Sequence, residues 1–285
     1  MKLSFSTNAF IRHSVVEAVE KIAAIGYQGV ELLADIPHLY IHELRDEDIR
    51  DLKNVLSRTG IRVSNINSNT VRGYCEKETW NPFFEPVLSS PDPGIRKWRI
   101  EYTKRCIDLA LNLNCPNISL TSGPIMPEST PEESLFFFKE SLREISRYAQ
   151  SKNIKVGIEY EPGLLIEYCV ELAILLEEIG STALGANLDL GHSHLLGEDP
   201  EVVIKTLSGK IFHIHLEDIR DRVHHHLIPG LGDMDFVSLF SLMEKYSYKG
   251  FVTVELYTYP EQPEEAASQA FNYLNNLGQK QTGKR

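Results

Sequence analysis

Cysteine, methionine and tryptophan are scarce in this chain, at 4, 4 and 2 residues. Cys75, Cys106, Cys115 and Cys169 are irregularly spaced, and none forms a C-x-x-C pair. No disulfide framework is legible in them, so reduced thiols and a cytoplasmic location are expected. Positive charge is also short: 29 Lys and Arg face 40 Asp and Glu, a net charge of −11. Nucleic acid and anionic membrane surfaces need clustered cations, so neither partner is expected. No apolar run approaches the roughly 20 residues of a membrane span. The opening residues, MKLSFSTNAF, lack the long apolar run of a signal peptide.

What is present is alternation. Short apolar runs fall at Lys2–Ser6, Gly29–Leu33, Ile61–Asn67, Asn117–Leu120, Lys155–Tyr160, Leu184–Leu188, Ile211–Leu216 and Phe251–Leu256. Between them lie amphipathic stretches. Ser14 is placed to cap a helix ending at Gly26, Asp46 one ending at Gly60, and Pro131 begins a third. Further helices are expected at about Ile95–Leu113, Glu167–Ile179, Glu201–Leu207, Phe236–Tyr246 and Glu264–Leu277. Buried strands alternating with helices mean a parallel sheet covered by helices. Eight such units favour an α/β fold of the (β/α)8 TIM-barrel type over an open sheet. No break in composition divides the chain, so one domain over residues 1–279 is expected, with a frayed polar tail at 280–285. The long segment Val71–Gly94 is the exception to the alternation. Its Trp80, Phe83 and Phe84 either cap a pocket or pack the loop onto the barrel rim.

In such a barrel the reactive groups stand where strands end and βα loops begin. The fifth strand ends in IEYEP, with Glu159 and Glu161. The sixth ends in LDLGHSH, with Asp189, His192 and His194. The seventh gives HIHLED, with His213, His215, Glu217 and Asp218, and the eighth gives VTVEL, with Glu255. Alternation along a strand puts Glu159 with Glu161, and His213 with His215, on one face without choosing within either pair. Any one of these residues alone reads better as a rim carboxylate or a core histidine. Together, unpaired carboxylates converging on one mouth would repel one another unless a cation joined them. One imidazole with three carboxylates suits a single divalent ion such as Mn²⁺, Mg²⁺, Co²⁺ or Zn²⁺.

The series IEYEP, NLDLGH, HIHLED, PGLGDMDF and VTVEL resembles the xylose isomerase-like barrel superfamily. It is similar to the branch of sugar-phosphate isomerases and epimerases, with endonuclease IV as a distant member. The resemblance spans nearly the whole chain. It implies metal ligands at Glu159, Asp189, His215 and Glu255, and a proton shuttle formed by Glu159 and Glu255. It implies substrate contact by His192. His226 lies nearest the superfamily's histidine in the run His224–His226, and Trp80, Arg220 and Arg222 are further substrate-binding candidates. Either arginine could hold a phosphate or pair with Asp218 or Asp221. The chain departs from the epimerases where Leu164 and Leu165 stand near their additional glutamate. It also lacks endonuclease IV's histidines after the third and fourth strands, where NINSN and SLTSG stand, so a three-zinc cluster is not expected.

The activity implied is metal-dependent isomerisation or epimerisation of a small sugar, sugar phosphate or other polyol through an enediolate. A dehydratase or abasic-site endonuclease on the same centre is the alternative enzyme class. A barrel that binds a ligand without turning it over is the non-enzymatic one. The partner expected is a small molecule; self-association is compatible with such a barrel, but no interface is marked.

Overall fold

The computed structural model describes residues 2–74 and 86–282. Eight strands close into one barrel, every neighbouring pair parallel. They are β1 (Lys2–Ser6), β2 (Gly29–Leu33), β3 (Arg62–Asn67), β4 (Asn117–Thr121), β5 (Lys155–Glu159), β6 (Leu184–Asp189), β7 (Ile211–Leu216) and β10 (Phe251–Val254). The helices of the outer layer are α1 (Val15–Ile25), α2 (Asp46–Thr59), α3 (Pro93–Asn112), α4 (Pro131–Lys152), α5 (Cys169–Ile179), α7 (Pro200–Thr206), α8 (Phe236–Lys245) and α9 (Pro263–Thr282). The last helix thus runs past the boundary expected at 279.

Capping chemistry sets the helix ends. Ser14 and Glu17 form a reciprocal capping box at the start of α1, and Gly26 ends it at φ 115°. Asp46 is the first residue of α2 rather than its cap. Arg45 holds that position, and its N–H donates to Asp48 at 3.0 Å. Helix α3 starts at Pro93, before Ile95, because Asp92 accepts from the N–H of Gly94 (2.6 Å) and of Ile95 (3.2 Å).

Alternation divides the strands between two environments. Leu3, Phe5, Val30, Leu32, Ile118, Leu120, Val156, Ile158, Ile214, Leu216, Val252 and Val254 face the helices and are buried in the apolar core. The inner face is polar. Ser4 and Ser64 hydrogen-bond at 2.7 Å, Asn117 donates to Asn65 at 2.6 Å, and Asn65 donates to Ser119 at 2.7 Å. Apolar packing therefore lies mainly between strands and helices, which leaves the lumen free for chemistry.

Two elements do not follow the simple alternation. Helix α6 (Leu190–Leu195) starts directly after β6, and a hairpin, β8 (Asp218–Arg220) with β9 (Val223–Leu227), follows β7. Six residues are too short for helical periodicity, and VHHHL carries no apolar alternation, so neither stands out in the sequence.

Single carboxylates tie the loops to the barrel. Asp218 accepts from the backbone N–H groups of Ile219 (3.0 Å), Gly230 (2.8 Å), Gly232 (2.8 Å) and Met234 (3.2 Å). Asp35 likewise accepts from Val71, Arg72 and Gly73 N–H and from the Thr70 hydroxyl, at 2.8–3.0 Å. Removing Asp218 would strand four donors in a partly buried turn. Asp218→Ala is expected to cost about 3 kcal/mol of stability and to lower Tm in calorimetry. An unchanged Tm would contradict this account of the PGLGDM turn.

Candidate metal centre and cavity

At the C-terminal mouth of the barrel, Glu159, Asp189, His215 and Glu255 bring one ligand atom each to within 4.8 Å of one another. All four are buried. The His215 Nδ1 is 3.0 Å from Glu159 Oε1, 3.7 Å from Glu255 Oε2 and 4.0 Å from Asp189 Oδ2. Two ligands of one first-row dication stand roughly 3–4.5 Å apart, given bonds of about 2.0–2.2 Å. The Asp189 Oδ2 is buried and takes no hydrogen bond from an N–H or hydroxyl. A buried carboxylate oxygen without such a donor, in a cluster of three carboxylates and an imidazole, fits a divalent ion.

Two of the candidate ligands are held from behind. Asp189 ends β6 and caps α6, its Oδ1 accepting from the N–H of His192 at 2.9 Å. This explains the D-x-x-H spacing: one oxygen starts the helix while the other faces the cluster. The glycine between them is also dictated. A Cβ on Gly191 would stand 1.6 Å from Glu217 Oε1. Glu255 is oriented by Asn8, whose amide donates to Oε1 at 2.9 Å. His226 is buried on β9; its Nδ1 lies 2.9 Å from the Glu255 carbonyl oxygen, to which it donates.

The charges are crowded. Burial opposes ionisation of Asp189, but His192, His226 and His215 outweigh it and hold its carboxyl below the usual range. Burial pushes the Glu255 carboxyl up, opposed by His215 and reinforced by Glu159 and Glu31. Burial also raises the Glu217 carboxyl, and Asp189 adds to the effect through its charge and a side-chain hydrogen bond. Burial lowers the His226 imidazole to about 3, so it stays neutral.

Above the cluster opens a cavity of about 460 Å³. Its wall includes Glu159, Glu161, His192, His226, Glu255 and Tyr257, with Asp35, Asn67, Asn69 and Thr121 opposite. Among the described residues no lysine or arginine lines it. Arg220 and Arg222, candidates for substrate contact, are both exposed and away from the cavity. Arg222 lies at the hairpin tip with φ 53°, and its guanidinium packs over Gly197. Arg220 donates to the Leu231 carbonyl. Chain reversal at Asp221–Arg222 turns both side chains outward. Trp80, Phe83 and Phe84 lie outside the described residues.

Strand alternation on β9 also separates the three consecutive histidines. His226 points in and is buried, while His225 and His224 are both exposed; His224 nonetheless lies on the side of His192, their ring centroids 5.0 Å apart. Two members of the site were not singled out in the sequence as such. Glu31, on β2, accepts from His215 at 2.6 Å. Asn8 follows β1. A carboxylate inside an otherwise apolar strand, GVELL, was the available signal for Glu31.

The model of the xylose isomerase-like TIM barrel family matches residues 19–277. The chain belongs to that family. Members similar to this chain include fructoselysine 3-epimerase of Shigella flexneri, 25% identical over 284 residues that cover 97% of this chain and 98% of that protein. Inosose dehydratase of Clostridium tetani is 28% identical over 162 residues, covering 50% of this chain and 54% of the dehydratase. Among solved structures, an IOLI protein with a bound zinc atom superposes with a TM-score of 0.80 at 19% identity, covering 98% of this chain and 99% of that one. This last likeness is one of fold.

Asp189→Asn keeps the oxygen that caps α6 and removes the charge that faces the cluster. The variant is expected to fold as the parent does and to carry at least about tenfold less divalent metal, no smaller a loss than removing an outer-shell partner of a ligand causes, in elemental analysis after dialysis against a limiting metal buffer. Full metal occupancy in the variant would remove Asp189 from the ligand set.

Proposed function

We propose that this protein is a divalent-metal-dependent isomerase or epimerase of a small, uncharged keto or aldo polyol. The observation that carries the reading is the convergence of Glu159, Asp189, His215 and Glu255 on one point, with two of them, Glu159 and Glu255, lining the cavity beside it. The sugar epimerases among the relatives support it. The absence of cations from the described cavity wall speaks for an unphosphorylated substrate and against the abasic-site chemistry of a nuclease, since both would bring phosphate.

In this reading Glu159, Asp189, His215 and Glu255 hold the ion. When bound, it supplies Lewis acidity toward the substrate's carbonyl and neighbouring hydroxyl oxygens. Glu159, on β5, removes the proton from the carbon beside the carbonyl. Glu255, held by Asn8, returns a proton. Return to the opposite face of the same carbon is epimerisation; return to the neighbouring carbon exchanges aldose and ketose. His192, buried at the cavity wall with its Nδ1 unpartnered, donates a hydrogen bond to the oxygen that gains charge. Asn67, Asn69 and Thr121 present amides and a hydroxyl to the remaining hydroxyls. Tyr257 and Leu33 give the cavity apolar surface and restrict water.

A second reading has one observation in its favour. Burial raises the Glu161 carboxyl to about 7, with Glu159 and Asp189 adding to the rise and His192 opposing it. A carboxylic acid still partly protonated near neutrality, at the edge of the same cavity, is suited to protonate a departing hydroxyl. That would turn the same first step into loss of water, the activity named for the dehydratase relative.

Incubation with a panel of ketohexoses, pentuloses and inososes in D₂O, in the presence of Mn²⁺, tests both. Solvent deuterium entering the carbon beside the carbonyl is expected, and Glu159→Gln should reduce its rate at least about 10³-fold while the variant still folds. Undiminished exchange in that variant would remove Glu159 from the proton path. A product lighter by one water would select dehydration over isomerisation.

A further inference from the structure

We infer that Glu31, a residue with no role in the proton path, positions His215 in the metal centre, and that it does so as the hub of a buried hydrogen-bond system reaching from the cavity floor into the lumen of the barrel. The inference rests on the ligand set proposed above. Glu31 is at 0% exposure in the middle of β2, on the opposite side of the barrel from β5 and β6. Its Oε2 lies 2.6 Å from His215 Nε2, 3.3 Å from His213 Nε2 and 2.8 Å from the Asn65 amide, which donates to it. The other ring nitrogen of His215, Nδ1, is the one facing Glu159, Asp189 and Glu255. One imidazole therefore bridges two environments: a carboxylate below it and the ligand cluster above.

The chemical consequence follows from the ring. A neutral imidazole carries one proton, and the nitrogen that donates it cannot also offer a lone pair. With Nε2–H donated to Glu31, Nδ1 is left as the ligand, and rotation of the ring about its own axis is blocked. A carboxylate behind a ligating histidine also raises the basicity of the ligating nitrogen. Glu31 is itself held within a buried polar network. Asn65 donates to Glu31 and also to Ser119, and accepts from Asn117. The His213 ring stands against that of His215 at 5.4 Å in an edge-on arrangement. A structural explanation, in which Glu31 merely fills the lumen, does not account for a carboxylate at full burial whose short contact is the far nitrogen of a candidate ligand. Apolar side chains fill such a layer without the cost of burying charge.

Zinc affinity is the readout, measured on metal-free protein by competition with a chromophoric chelator. Glu31→Gln keeps the volume and removes the charge. It is expected to weaken Zn²⁺ binding 10–100-fold, and Glu31→Asp to weaken it less if the shorter carboxylate still reaches Nε2. Equal affinity in parent and Glu31→Gln would overturn the inference. A parent that binds no Zn²⁺ would instead overturn the ligand set itself. Should Glu31→Gln fail to fold, ¹⁵N-histidine NMR of the parent decides, with His215 assigned from the signal lost in His215→Gln. The Nε2 of His215 is expected to keep its proton with and without Zn²⁺, with Nδ1 the nitrogen whose shift responds to the metal. A Zn²⁺-responsive or unprotonated Nε2 would refute the role of Glu31.

Discussion

Burying like charges together is the constraint on which this structure turns. Glu31, Glu159, Asp189, Glu217 and Glu255 are all buried around the upper lumen of one barrel. Two unit charges about 4 Å apart repel by roughly 4 kcal/mol at an effective dielectric near 20. Several such pairs would consume much of the stability of an ordinary domain. The protein meets part of the cost internally. His215 sits between Glu31 and Glu159, its two ring nitrogens 2.6 and 3.0 Å from their carboxylate oxygens. Glu217 escapes by being held in its neutral acid form. What remains is a cluster of donors for which a dication is the natural complement.

The barrel can tolerate this because its two faces do separate work. Apolar packing between strand and helix supplies the stability, while the lumen carries serines, asparagines, histidines and glutamates in a connected hydrogen-bond system. Placing the charged cluster at the C-terminal ends of the strands lets loops close around it without disturbing the core. Asp35 and Asp218 then fix two of those loops through backbone N–H groups, so the cavity wall is built by carboxylates that serve the backbone rather than the substrate. The acidic residues buried around the mouth thus divide into loop anchors and site residues, and composition alone does not distinguish the two.

In the proposed function, the same centre would accommodate related reactions because they share a first step. Removal of a proton beside a carbonyl precedes epimerisation, aldose–ketose exchange and elimination alike. What separates them is where the next proton comes from. Here Glu255 stands at the cavity floor and Glu161 at its edge, and their distances from a bound substrate's carbons and hydroxyls would decide the outcome. Farther out the cavity wall carries Asn67, Asn69, Thr121 and Tyr257, on which substrate choice would turn in the proposed reaction.

Much of the fold was legible in the sequence because it follows from local rules. Apolar runs of strand length, amphipathic stretches and Gly or Ser at their ends specify βα units without reference to the rest of the chain, and eight of them imply closure. The motifs D-x-x-H and H-x-H marked Asp189, His192, His213 and His215 as chemically active because such residues are expensive to place in strands. Only the tertiary structure could rank them. Parity put His213 and His215 on one face, yet depth in the barrel gives His215 to the cavity cluster and leaves His213 beneath it. Arg220 and Arg222 look suited to a phosphate until the hairpin turns them away. Glu31 and Asn8 belong to strands and turns far from the motif residues in sequence, and nothing local reveals their partners. The sequence determined which side chains would have to be paid for; closure of the barrel decided which of them meet, because contact between residues 31, 159 and 215 is a property of three strands brought together and of no one of them alone.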